Sequence, residues 1–210
     1  MFGEERHVDT ASVPLPRKAL RLFLSTLMMG GMPMETIAGA LDGWMCGVTG
    51  KGNPKWTMER EDGREVLKQS GSGTFPWCVR KDATLADGFV EVKFKPLSGR
   101  EDQAGGVVWR WKDGDNYYVA RANALENNVS LYYTERGSRK TLKYVDAPVA
   151  RGAWHTLRVE FRGQHIRVVL DGVPRIELDD AHIVGAGAVG VWTKADSVTA
   201  FEAFAFGEGK

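Results

Sequence analysis

One stretch of this chain concentrates side chains able to hold a polar ligand: Arg110, Tyr118, Arg121, Asn123 and Glu126. Arginine and asparagine offer planar donors for hydroxyls, and a tyrosine face covers the apolar C–H surface of a ring. Such a set suits a sugar. Glu126 lies in the connection 124–128 rather than mid-strand, so it is the carboxylate best placed to act as acid or base. Asp102 and Gln103 add hydrogen-bonding groups from the polar loop 98–105, and Lys194 and Asp196 follow Trp192 at a strand end, where they close the same cleft or form a charge-paired turn. Trp77, after Phe75-Pro76, is a stacking platform or a core plug. The plainer reading of the set is Arg–Glu pairs across strands, a surface acid at 126 and asparagines capping turns.

Other chemistries are absent from the sequence. Gly50-Lys51-Gly52 lacks the leading Gly and the Ser/Thr of a phosphate loop, and Ser70-Gly71-Ser72-Gly73 is not a nucleophile elbow. No EF-hand loop or H-E-x-x-H occurs. The histidines at 7, 155, 165 and 182 are scattered and no Cys/His pair has zinc spacing. Glu177-Leu178-Asp179 begins an alternating acidic pattern, but His182 stands where its third acid would fall, so no paired carboxylates for glycoside hydrolysis are evident. With 28 Lys+Arg against 27 Asp+Glu, the net charge of +1 argues against nucleic acid as a partner.

The elements that must position these residues are strands. Val90, Val92 and Phe94 alternate with Glu91, Lys93 and Lys95, and Leu157, Val159 and Phe161 alternate with Arg158, Glu160 and Arg162. Turn signals at 112–116, 135–138 and 171–172 separate the runs, and 25 glycines with many aromatics suit short strands joined tightly. Strands are expected near 56–60, 64–69, 77–80, 88–95, 105–111, 117–123, 129–134, 139–145, 154–162, 164–170, 173–178, 187–194 and 199–206. Spacing of this kind predicts one all-β domain over 41–210, a sandwich or barrel. In the Val107–Trp111 strand, both tryptophans are expected on the core side with Arg110 opposite. The hairpin register at 112–116 is open, with Tyr118 favoured as Arg110's neighbour.

Residues 1–40 read as a signal-peptide region: Arg17, Lys18 and Arg21 precede the short apolar run 22–29, and Ala38-Gly39-Ala40 has the small-x-small form of a cleavage site. The acidic lead before Arg17 points to a later start codon. The expected product is secreted or periplasmic, without membrane insertion after cleavage. Cys46 and Cys78 either form one disulfide there or remain two buried thiols.

Gly105-Gly106-Val107-Val108-Trp109-Arg110-Trp111, Asn116-Tyr117-Tyr118-Val119-Ala120-Arg121-Ala122-Asn123, Trp154-His155-Thr156-Leu157, Leu170-Asp171-Gly172 and Gly190-Val191-Trp192 follow one another in this order. Together they resemble the concanavalin A-like lectin/glucanase superfamily, and within it the laminin-G-like and 3-keto-disaccharide-hydrolase-like (family 16 glycoside hydrolase-like) bacterial secreted domains. The resemblance implies a jelly-roll sandwich of two antiparallel sheets, with ligand on the concave face or its rim. It implies a carbohydrate or glycoconjugate partner and no required cofactor. A calcium ion on the rim is also implied, with Glu202 standing where relatives tend to show Asp. The Glu-x-Asp-x-x-Glu glucanase motif is missing. Three functions follow: carbohydrate recognition through Arg, Tyr and Asn side chains; a glycoside or 3-keto-glycoside hydrolase or lyase on the same face; or a structural adhesion module binding protein.

Overall fold

The computed structural model describes residues 41–209; the signal-peptide expectation for 1–40 lies outside them. Fourteen strands make up the fold: β1 (Trp44–Asn53), β2 (Trp56–Glu61), β3 (Arg64–Gln69), β4 (Ser72–Arg80), β5 (Gly88–Ser98), β6 (Ala104–Asp113), β7 (Asn116–Asn123), β8 (Asn128–Glu135), β9 (Ser138–Asp146), β10 (His155–Arg162), β11 (His165–Leu170), β12 (Val173–Asp179), β13 (Ala188–Trp192) and β14 (Val198–Gly207). They form two seven-stranded antiparallel sheets, β1-β4-β13-β6-β7-β8-β9 and β12-β11-β10-β5-β14-β3-β2, the two layers of a jelly roll. Among the described residues no helix is long and apolar enough to cross a membrane.

The alternation seen in the sequence builds the core between the layers. Val92 stands opposite Leu157 and Val90 opposite Val159, all fully buried, while Glu91 and Arg158 pair on the other face. From the first sheet, Val107, Trp109, Tyr118, Ala120, Ala122, Val129 and Leu131 close the same core. Each valine, leucine or phenylalanine side chain so removed from water contributes roughly 1.5–3 kcal/mol. β1 is the one strand that the sequence pattern did not reveal: Gly47, Gly50 and Gly52 interrupt its period, and its register slips between Thr49 and Gly52.

Cys46 and Cys78 face one another in the β1–β4 pair, with Cα atoms 4.0 Å apart, and are joined as a disulfide. A cross-link over 32 residues removes chain entropy from the unfolded state equivalent to about 3.7 kcal/mol. Reduction is therefore expected to lower the melting temperature by about 10 °C. Two titratable thiols in the untreated protein and an unchanged melt in dithiothreitol would instead make them plain core residues.

Candidate functional site

The first sheet has a second buried face, turned away from the core. On it stand Trp77, Val79, Val108, Tyr117, Val119, Tyr132 and Trp192, with Phe75 and Trp111 packed alongside. Strands lie about 4.8 Å apart, so a flat sheet would hold β1 about 19 Å from β7 and β4 about 24 Å from β9. Yet Thr49 Oγ1 of β1 is 2.8 Å from the Tyr117 hydroxyl of β7, and the Arg139 guanidinium of β9 stacks on the Phe75 ring of β4 at 4.4 Å. The sheet is curled into a trough, and this is its concave side.

One end of the trough is polar. The Arg121 guanidinium, 3 % exposed, donates to Asp102 Oδ2 at 3.3 Å and to Glu126 Oε2 at 2.6 Å. Lys194 Nζ donates to the same Asp102 oxygen at 2.6 Å. Asn128 Nδ2 donates to Glu126 Oε2 and to the hydroxyl of Tyr144, both at 2.7 Å, and Tyr144 is half exposed. Burial pushes the Asp102 carboxyl up, against the pull of Arg121 and Lys194, and the net direction is upward. Burial would also raise Glu126, but hydrogen bonds from Asn128 and Arg121 and the Arg121 charge outweigh it and hold that carboxyl below its ordinary value. Two carboxylates on one arginine thus have their protonation pulled in opposite directions.

The other part is aromatic. Trp77 and Trp111 pack with ring centres 5.0 Å apart, and Phe75 stacks on Trp192 at 5.6 Å. Gly106 stands in the row between Trp192 and Arg121, where a side chain would run into the Ala120 carbonyl and the Trp192 ring. Several buried polar atoms along this face find no partner among the described residues: Asp102 Oδ1, Gln103 Oε1, Arg121 Nε, Asn123 Nδ2, Arg139 Nη1, and the indole nitrogens of Trp77 and Trp111. Buried polar atoms are normally satisfied, so a cluster of open ones on a single face marks a place where a polar ligand completes the bonding.

Of the residues anticipated from sequence, Trp77, Asp102, Gln103, Arg121, Asn123, Glu126 and Lys194 come together along this trough. Four do not take the expected place. Arg110 adopts φ 46° at a bulge where the β6–β7 register shifts between Trp109 and Asp113. The extra residue puts Trp109 in the core, Trp111 on the trough and Arg110 among core-side groups. Its guanidinium there donates to the carbonyls of Ala86, Ile183 and Gly163 and to Asp87, over the Phe161 ring. Tyr118 shares that side, but it is the core: the ring stacks on Trp109, and the hydroxyl donates to Asp180 and accepts from the Ile183 amide. Asp196 spends both oxygens on the amides of Arg100, Glu101 and Asp102, shaping the loop that carries Asp102. Glu202, the anticipated calcium ligand, accepts from Arg64 on the other sheet, and among the described residues no group of three or more His, Cys, Asp or Glu could hold a metal ion. Sequence reading missed Tyr132, Arg139 and Tyr144; strand alternation would have put Tyr132 and Tyr144 on one face with Arg121, but Arg139 joins them only through a register shift in the β8–β9 pair, and the curl brings it over to Phe75.

Comparison with known proteins agrees with this architecture. Residues 38–199 match the family described as 3-keto-alpha-glucoside-1,2-lyase-like domain. No curated protein matches the chain. Among solved structures, the carbohydrate binding module CBM66 from Bacillus subtilis is similar with a TM-score of 0.67 at 20% identity, covering 78% of this chain and 94% of that one. A Bacillus licheniformis beta-glucanase is similar with a TM-score of 0.53 at 14% identity, covering 80% and 94%. A Bacteroides ovatus mixed linkage glucan GH16 in complex with its product is similar with a TM-score of 0.56 at 8% identity, covering 78% and 94%. At these identities the likeness is one of fold.

Proposed function

The chain belongs to the 3-keto-alpha-glucoside-1,2-lyase-like domain family, and from that premise we propose that it recognises a carbohydrate in the trough of its first sheet. The observation that carries this reading is the set of open, buried donors and acceptors around Arg121, Asn123 and Asp102, flanked by the half-exposed Tyr144 ring. Sugars ask for that combination, because their hydroxyls pair with fixed planar groups and their C–H faces lie on aromatic rings. The folds of the carbohydrate binding module and the glucanases support it as analogy. The disulfide supports an exported, oxidising setting.

A specific feature favours a second reading, cleavage of a glycoside or 3-keto-glycoside. Acid–base chemistry at one bond needs one carboxyl inclined to keep its proton and one inclined to lose it. Asp102 and Glu126 are biased in those opposite senses while bonded to the same guanidinium.

Titration calorimetry of the oxidised protein against a panel of oligosaccharides and 3-keto-glucosides, with mass spectrometry of the mixtures, separates the readings. Tyr144→Ala is expected to weaken binding by about tenfold, the worth of one stacking contact, with little loss of stability because the ring is half exposed. Cleaved product that vanishes in Glu126→Gln, with binding retained, establishes the enzyme. Binding without product leaves a recognition module, and no binding by any sugar in the panel removes the carbohydrate reading.

A further inference from the structure

The charges in the trough do not balance. Arg121, Lys194 and Arg139 face Asp102 and Glu126, and the ion pairs there involve only the first two cations. Arg139 forms no salt bridge among the described residues. Its guanidinium is instead held between the Phe75 and Tyr132 rings, 4.4 and 4.2 Å from their centres, and lies 5.7 Å from that of Trp192. Arg121 lies 5.7 Å from the centre of the same Tyr132 ring, so both guanidiniums border one aromatic side chain. Each has an unpaired buried nitrogen, Arg139 Nη1 and Arg121 Nε. Burial and the Arg121 charge both disfavour the charged form of Arg139, although Tyr132, Asp102 and Tyr117 act in the opposite sense.

The contrast with the rest of the surface is plain. An open cleft of about 590 Å³ on the second sheet is also lined by arginines, Arg158, Arg162 and Arg167. There Arg158 is answered by Glu91 and Glu160, and Arg167 by Glu160, while Arg162, which forms no ion pair among the described residues, is exposed to water. Among the described residues, only in the trough is a partly buried guanidinium clamped by aromatic rings with no carboxylate to meet it.

We propose that the trough selects an acidic sugar, a uronic acid unit whose carboxylate pairs with Arg139 beside Arg121. The inference rests on the carbohydrate reading and adds the ligand's charge to it. A carboxylate supplies the missing negative charge, and a guanidinium fork binds it through two parallel hydrogen bonds. The ring carrying that carboxylate would have Tyr132 and Phe75 beside it as apolar walls. A neutral sugar would leave Arg139 as unanswered as it stands now.

The test is calorimetric titration of the oxidised protein with uronic acid trisaccharides and with neutral trisaccharides of the same linkage. Acidic oligomers are expected to bind at least about tenfold more tightly, and raising the salt concentration should shrink that advantage. In Arg139→Gln the preference for acidic over neutral oligomers should disappear; Arg139→Lys should keep part of it, and thermal melts of both variants report that the fold is intact. Equal affinity for acidic and neutral oligomers in the wild-type protein, or a preference that survives Arg139→Gln, overturns the acidic-sugar inference and leaves carbohydrate recognition standing. No binding by either class overturns both.

Discussion

Arg110→Met is expected to destabilise the protein by about 3 kcal/mol while leaving the affinity of the folded molecule for its ligand unchanged. The guanidinium donates to three backbone carbonyls, at 3.1 Å to Ala86, 3.2 Å to Ile183 and 2.7 Å to Gly163. These belong to segments flanking the end of the sandwich, which regular strand pairing does not reach. Without the arginine, buried acceptors lose their donor, and each such loss costs roughly 1 kcal/mol or more. The contact with Asp87 at 3.3 Å adds little because that carboxylate is half exposed. Methionine retains much of the aliphatic stem, so the experiment reads the guanidinium rather than a cavity. Urea denaturation gives the stability and calorimetry the affinity. A loss of stability under about 1 kcal/mol accompanied by lost binding would put Arg110 back among ligand contacts.

That residue also shows where the sequence stops being readable. The two-residue period is a local property, and it located the core faces of β5 and β10 because nothing interrupts it there. In β6 a single residue with φ 46° reverses the period, and no residue type marks the site: Trp-Arg-Trp has the same pattern with or without a bulge. Arg121, Asn123 and Glu126 were legible because they share one strand and its following turn, so local spacing suffices to bring them together. Arg139 was not. In Arg136-Gly137-Ser138-Arg139-Lys140 it looks like one more solvated charge beside a hairpin turn; a register shift in the β8–β9 pair turns it to the face of Tyr132, and the curl accumulated over five strand spacings sets it against Phe75. Curl is a property of the whole sheet, and no window of sequence contains it.

The Arg121–Asp102 pair should show the strongest coupling in the molecule. Asp102 is fully buried and Arg121 nearly so, with side chains 0 % and 3 % exposed, and each holds a charge that water cannot reach. Removing one partner strands the other, so Arg121→Ala and Asp102→Ala should each cost about 3–5 kcal/mol. The double variant should cost at least about 2 kcal/mol less than the sum, because it leaves no stranded charge of the pair. Lys194 moderates but does not replace Arg121, since it reaches only the oxygen that both cations share, Asp102 Oδ2. The effect has a definite pH dependence. Asp102 has its folded pKa raised above the ordinary carboxylate value by burial, so its ionisation works against the fold, a cost absent below about pH 4 and complete once the pH exceeds the folded value. Deleting Arg121 raises that folded value further. It also withdraws the help that holds Glu126 below 4.5, help present above that pH and lost as the pH falls through the depressed value. Both groups therefore act in one direction: the stability gap between wild type and Arg121→Ala should narrow steadily as the pH is lowered from 7 toward 4. A gap independent of pH, or single costs that add within about 0.5 kcal/mol in the double variant, would mean that Asp102 is held neutral by the fold itself. Arg121 would then be ordered by Glu126 and Asn128 alone, and the polar end of the trough would offer its ligand a carboxylic acid rather than an ion pair.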